Sequence, residues 1–511
     1  MWKFLIVILL IATNVEAANI LAIFPTASIS HQVVFRAYTN GLAAKGHSLT
    51  IVTTDPIETN NPNITQIDFH FTYELFRNSL NFVEFKEKKM DEFGLMDLSS
   101  KLLTLSFAEH FENKEIQELI RNHKNYKFDA VVVEFLYYVP WYAFAELFNA
   151  PLIGITSLDT LGETHELLGN AANPILHPEL LFPFSVPLTF EQRYRSVKFY
   201  LYTKFYYKPK FNQIYDDVIR KNFPTIQTTA QESKERIQLM MTNTHPALGF
   251  TRPLVPTTIQ LGFMHIQPPK PLEDVELKRY LDESKNGVIY MSLGSNVRSS
   301  DLNEGFLSIF YDTFKSLDYD VLWKWETDEM INKPDNVRIS KWLPQSDLLA
   351  HPNIKLFITQ GGQQSMEEAI DRMVPLIVIP FLADQDTNAK RIDQRKFGVH
   401  LDLHTINQQR LQNAIIEVLK PEYKMNVQKL RQLVHDQPMK PVDKAVWWTE
   451  YVIRHNGTKH LEYVAKNVPF YQKYMLDFMA IAFGITFCLY SFLAFAVKIG
   501  LESKNKKLKK Q

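Results

Sequence analysis

The chain of 511 residues has a single cysteine, Cys488. Everything before it is therefore free of disulfides, of thiol nucleophiles and of cysteine-based zinc sites. It has no excess charge of either sign, 56 Lys and Arg against 56 Asp and Glu, so global electrostatics point to neither nucleic acid nor an acidic partner. It has no low-complexity run. Its first apolar stretch, Phe4 to Ala12, is too short to cross a bilayer. What remains is a globular composition rich in Phe and Tyr, long enough for two domains of roughly 200–250 residues each.

Both ends carry addresses. In "MWKFLIVILLIATNVEAA" an early Lys3 precedes the apolar run, and Val15 and Ala17 are spaced as a signal-peptidase site. Residues 1–17 are thus expected to be a signal peptide. Phe478–Val497 carries no charge between Asp477 and Lys498. As a helix rising about 1.5 Å per residue it covers a hydrocarbon core of roughly 30 Å, so it is expected to span the membrane. Tyr471 and Tyr474 sit where an interfacial aromatic belt belongs. Residues 498–511 form a basic tail that the positive-inside rule keeps cytosolic, with the body lumenal. The terminal lysines resemble the dilysine retrieval signals of endoplasmic-reticulum membrane proteins, and the expectation is a single-pass protein of that membrane. A plain basic anchor to anionic lipid is the other reading. Asn63-Ile-Thr65 and Asn456-Gly-Thr458 are glycosylation acceptors in a lumenal chain.

Residues 18–250 read as α/β. Strand "NILAIFP", a polar loop, a helix closed by Gly46 and strand "HSLTIVTT" make a βαβ unit, and "KFDAVVVEFL" and "PLIGITS" add buried strands. From Pro183 to Phe223 the pattern becomes helical. Phe190, Tyr194, Val197, Leu201, Lys204 and Phe205 recur near helical spacing, as in an insertion packed on the domain; the same stripe could instead line an apolar pocket or touch a membrane. Residues 251–276, with five prolines, read as a linker. Residues 277–470 form a second α/β half. Two such halves imply a cleft between facing Rossmann-like domains.

The second half concentrates polar residues at special spacings. Ser292, Gly294 and Ser295 end a strand and can present donors to an anion. Gly361-Gly362 lets backbone approach a ligand, and the helix that follows, with Gln364 and Ser365 in its first turn, offers free N–H groups to a phosphate. Glu368, one turn on, can accept from a diol. Trp342 offers a flat face, Gln345 a paired donor and acceptor, and Asp384 with Gln385 suit sugar hydroxyls. Base, ribose, diphosphate and sugar are thereby described in turn.

Trp342-x-x-Gln345, His351-Pro352, Gly361-Gly362, Ser365, Glu368, Pro375 and Asp384-Gln385, in this order and spacing, resemble the signature of UDP-glycosyltransferases. The resemblance implies a GT-B fold with the nucleotide sugar held mainly by the second domain. It implies that Trp342 stacks on uracil, Gln345 binds the uridine and Glu368 holds the ribose. Ser295, Gly362, Gln364 and Ser365 would serve the diphosphate, and Asp384 and Gln385 the transferred sugar. Three departures stand out: Gln360 where vertebrate-type members have a phosphate-contacting His, Gln364 where Asn is usual, and Met373 in place of Gly. Gln360 resembles the insect branch, whose usual donor is UDP-glucose rather than UDP-glucuronate.

A transfer of this kind needs one general base, because UDP already leaves well. The candidate is His31, in the loop after the first strand, with Glu134, at the end of "FDAVVVE", orienting it. The resemblance matches both positions, although the usual Asp is Glu134 here. The expectation is inverting transfer of a hexosyl group, glucose first, from a UDP-sugar co-substrate to small lipophilic hydroxyl compounds, without cofactor or metal. Acceptor contacts are sought among Phe135, Tyr137, Tyr138 and residues 190–215. A glucuronosyltransferase, or a non-catalytic binder of lipophiles or proteins, are the competing readings.

Overall fold

A computed structural model of the chain describes residues 17–79, 86, 91–249 and 251–508. Residues 1–16 of the expected signal peptide and 509–511 of the basic tail lie outside the described residues. Up to Glu462 the chain forms one compact body.

Seven strands build its first sheet: β1 (Asn19–Phe24), β2 (Ser48–Thr53), β3 (Ile64–Asp68), β4 (Ala130–Glu134), β5 (Leu152–Thr156), β6 (Ile237–Thr242) and β7 (Thr258–Gln260), in spatial order β3-β2-β1-β4-β5-β6-β7. Six more build the second: β8 (Val288–Ser292), β9 (Asp320–Lys324), β10 (Val337–Ser340), β11 (Ile354–Thr359), β12 (Leu376–Val378) and β13 (Gly398–His400), in order β10-β9-β8-β11-β12-β13. Every pairing is parallel. Central strands such as "AVVVE" and "VIYMS" are buried on both faces, as helix-covered parallel strands must be. Strand order reverses between β1 and β4 and between β8 and β11, so a crevice opens at the carboxyl ends of those strands.

The helices that matter are α1 (Ile29–Ala44), α2 (Phe190–Tyr202), α3 (Lys208–Asn222), α4 (Gln363–Asp371), α5 (Gln385–Gln394), α6 (Pro441–Arg454) and α7 (Leu476–Leu508). Three placements differ from the reading of the sequence. First, residues 251–276 are more than a linker: Thr258–Gln260 pairs with β6 as the sheet's last strand. Three residues among prolines are too few to show a period. Second, the stripe on α2 faces outward, with Phe190 and Tyr194 exposed and Leu201 and Phe205 beside them. The inward face carries Ser196 and Phe199 instead. Third, α6 leaves the second domain and packs on the first. Its Ala445, Val446 and Val452 join Val34, Tyr38 and Leu42 of α1 in one core, and Tyr38 Oη lies 2.7 Å from Thr449 Oγ1. Gly41 allows this approach, since a Cβ there would stand 2.4 Å from Val442 Cγ1.

Residues from Tyr463 form a separate unit. Its helix α7 contains the expected span 478–497. Over Leu476–Lys506 it is long and apolar enough to cross a membrane, which is compatible with a single-pass anchor.

Candidate active site

His31 lies in the first turn of α1 rather than in the loop before it. Its Nδ1 is 2.7 Å from Glu134 Oε1. Glu134 ends β4 and is fully buried, and its Oε2 accepts from the Thr26 backbone N–H at 3.2 Å. A carboxylate held this way requires a proton on Nδ1, which leaves Nε2 as the basic nitrogen. The start of α1 also touches the second domain. Asn296, in the turn after β8, donates through Nδ2 to Ser28 Oγ at 3.1 Å.

On the second sheet, α4 begins at Gly362 with no side chain capping it, so its first N–H groups can meet an anion. Gly361 sits at φ +85° and Gly294 at φ +82°. A Cβ on Gly294 would lie 2.2 Å from Gln360 Nε2, and the positive φ there favours glycine where the two loops meet. Gln360 is buried, and its Oε1 has no hydrogen-bond partner among the described residues. Ser295 is half-buried in the turn after β8. Trp342 is 60% exposed, an open face rather than a core residue. Gln345 accepts from Tyr290 Oη at 3.0 Å and donates to Ser365 Oγ at 3.0 Å and to Glu368 Oε2 at 2.6 Å. Burial pushes the Glu368 carboxyl up to about 7, against the Gln345 hydrogen bond and the Arg372 charge.

Asp384 is buried at the start of α5 and does not cap it. Asn388 Nδ2 donates to Asp384 Oδ2 at 2.6 Å and to Gly361 O at 3.0 Å, locking the glycine turn to the carboxylate. Burial raises the Asp384 carboxyl, while Asn388 and the nearby His31 draw it down. The two domains thus bring His31 and Asp384 within electrostatic reach of each other. Gln385 Oε1 accepts from Phe381 N and Leu382 N at 2.8 and 3.0 Å and so shapes this loop.

Gln364 is engaged elsewhere: its Nε2 donates to Ser157 O of the first domain at 2.6 Å. Asn388, unremarked in the sequence, was signalled by its i, i+4 spacing from Asp384. A buried polar knot had no such signal. Asn243 Nδ2 donates to Glu367 Oε2 at 3.0 Å, and Gln363 bonds both Asn243 O and Glu367. Beside Asp384 opens a cavity of about 260 Å³ lined by Leu95, Met96, Tyr137, Leu161, Phe199 and Tyr207. Of the expected acceptor aromatics, Tyr137, at φ +56°, and Phe199, Tyr200 and Tyr207 of residues 190–215 line it. Phe135 instead stacks on Tyr142 in the core at 4.3 Å, and Tyr138 is buried, its hydroxyl bonded to Thr26 Oγ1. Asn456 is exposed and Asn63 half-buried just before β3.

Parallel sheets of this order, with functional groups gathered where their carboxyl ends meet, place the protein among the GT-B glycosyltransferases. Solved structures share the fold. Os79 from O. sativa, in complex with U2F and trichothecene, superimposes with TM-score 0.57 at 17% identity, over 85% of this chain and 100% of that one. Spinosyn forosaminyltransferase SpnP gives 0.56 at 16%, over 86% and 100%. The model for the family described as "UDP-glucoronosyl and UDP-glucosyl transferase" matches residues 19–509, and the chain belongs to that family. It is 33% identical over 505 residues to the ecdysteroid UDP-glucosyltransferase of Spodoptera littoralis nuclear polyhedrosis virus, covering 93% of this chain and 95% of that protein. It is 32% identical to UDP-glucosyltransferase 2 of Dactylopius coccus, covering 97% and 96%. Against human UDP-glucuronosyltransferase 2B15 identity is 29%, covering 93% and 94%.

Proposed function

We propose that this enzyme transfers glucose from UDP-glucose to the hydroxyl of a small lipophilic acceptor, by one inverting displacement with His31 as general base. The observation that carries the reading is the 2.7 Å His31–Glu134 pair, set near Asp384 beside an apolar cavity. An acceptor seated in that cavity gives its hydroxyl proton to His31 Nε2 as its oxygen attacks the anomeric carbon. The bond from that carbon to the diphosphate oxygen breaks on the opposite face, and UDP takes the electron pair. Its charge falls on the open start of α4 with Ser295, Gly362 and Ser365. Glu134 holds the tautomer and offsets the imidazolium. Trp342 stacks on uracil, Gln345 binds the uridine, and Asp384 with Gln385 grips the sugar. No cofactor enters this scheme. The helix α7 would hold the body at the endoplasmic-reticulum membrane, on its lumenal side.

The donor assignment rests on Gln360, which resembles the insect branch at a position where vertebrate-type members have a phosphate-contacting His, and on the UDP-glucosyltransferase names of the viral and Dactylopius relatives. Turnover with UDP-glucose and UDP-glucuronate side by side, with the product anomer read by NMR, tests it. Preference for glucuronate, or retained configuration, would overturn it.

Glu368 adds a pH signature. Its carboxyl, raised to about 7, is mostly neutral at pH 6 and mostly ionised at pH 8, and a ribose diol donates better to the ionised form. Uridine, which has no phosphate to titrate, should therefore bind roughly tenfold tighter at pH 8 than at pH 6. Calorimetry on Glu368→Gln should find that difference gone; an equal pH dependence in the variant would take Glu368 out of the ribose site.

A further inference from the structure

Next to the apolar cavity lies a polar one of about 450 Å³. The two share Glu179 and Leu180. Four cationic side chains line the polar cavity, Arg252, Lys390, Arg391 and Arg395, with two carboxylates, Asp159 and Glu179.

The carboxylates are largely engaged. Asp159 accepts from His165 Nε2 at 3.3 Å and faces Arg252 Nη2 at 3.5 Å. Glu179 takes the Gly162 N–H on both oxygens, at 3.0 and 3.2 Å, and burial raises its carboxyl, disfavouring the charged form. Lys390 Nζ donates to Pro183 O at 2.9 Å, a neutral acceptor, and forms no ion pair among the described residues. Arg391 and Arg395 converge over Gly249. From the point where a Cβ would lie there, Arg391 Nε is 3.5 Å away and Arg395 Nη2 3.6 Å. Burial foremost, with the repulsion of Arg395 and Arg252 working against Asp159 and Asp384, lowers Arg391 to about 10. Cations gathered around a solvent-sized space favour an anion there, and guanidinium forks match the oxygens of phosphate.

We propose that this cavity is an oxyanion site, separate from the one for the donor diphosphate, that takes a phosphate group. The phosphate is either free or carried as a monoester on an acceptor whose apolar body fills the neighbouring cavity; the second source rests on the acceptor reading above.

The full chain in detergent, with the donor site saturated by UDP, provides the test. Inorganic phosphate should raise Tm by several degrees more than chloride at equal ionic strength. Arg395→Glu, a change at an exposed residue, should abolish the rise, and Arg395→Lys should keep part of it. A second arm compares two phenolic acceptors that differ only in bearing a phosphate monoester or a methyl ether. If the phosphate arrives on the acceptor, Arg395→Glu raises KM for the phosphorylated compound at least tenfold and leaves the ether unchanged. If it arrives free, only the Tm response moves. A wild-type protein that neither responds to phosphate nor discriminates the acceptors overturns the proposal. So does a phosphate response undiminished in both Arg395→Glu and Lys390→Gln. Loss of all transfer with the phosphate response intact would instead sink the acceptor reading and leave this site standing.

Discussion

Replacing His31 by Ala is expected to lower kcat by about 10²- to 10⁴-fold, the range general-base catalysis supplies, while the Kd for UDP stays within a few-fold of wild type. Among the described residues the side chain makes one hydrogen bond, to Glu134, and one edge contact, to the Phe35 ring, and neither partner is among the residues proposed to hold UDP. The start of α1 should survive, because the His31 backbone N–H to Ser28 O bond at 3.0 Å does not use the ring. Glu134 would lose a partner in a fully buried position, at a cost of roughly 1–3 kcal/mol in stability, so Tm is measured alongside. Single-turnover rates with calorimetric UDP affinity separate the outcomes. A chemical step within a few-fold of wild type would remove His31 from the mechanism.

The second large effect is expected from Glu134→Gln. The carboxylate serves two donors at once, His31 Nδ1–H through Oε1 and the Thr26 N–H through Oε2. An amide of the same shape has one oxygen. If it faces Thr26, its NH₂ faces His31 and draws the ring into the opposite tautomer, placing the proton on the nitrogen meant to accept one. If it faces His31, a buried N–H confronts another N–H. Either way the imidazolium loses its counter-charge, and kcat should fall by about 10²-fold or more with little change in donor KM. Glu134→Asp, matching the shorter side chain usual in the family, should recover part of the rate. A Gln variant that turns over normally would make Glu134 a scaffold residue only.

The sequence showed most clearly what lies close together in it. Trp342, Gln345, Gly361, Gly362, Ser365, Glu368 and Asp384 follow successive strands of one sheet, so their spacing in the sequence reflects a grouping the fold keeps. His31 and Glu134 were legible because adjacent parallel strands deliver their carboxyl ends to one place. The contacts between domains were not. Gln364 offers the same amide whether it meets a phosphate or the Ser157 carbonyl, and Glu367 reads as an ordinary helix-surface acid until Asn243 and Gln363 close around it. The stripe on α2 misled for a related reason: periodicity reports a face, but not which side of the protein that face is on.

The return of α6 to the first domain bears on how such enzymes can be cut and recombined. A fragment ending after β7 would expose the side of α1 carrying Val34, Tyr38 and Leu42 and would lose the Thr449 contact to Tyr38. The first domain is therefore discontinuous in the chain, its last piece written after the second sheet. A chimera that exchanges first domains between relatives should carry Pro441–Arg454 with the N-terminal partner, leaving the crossover points in the segments before and after the second sheet.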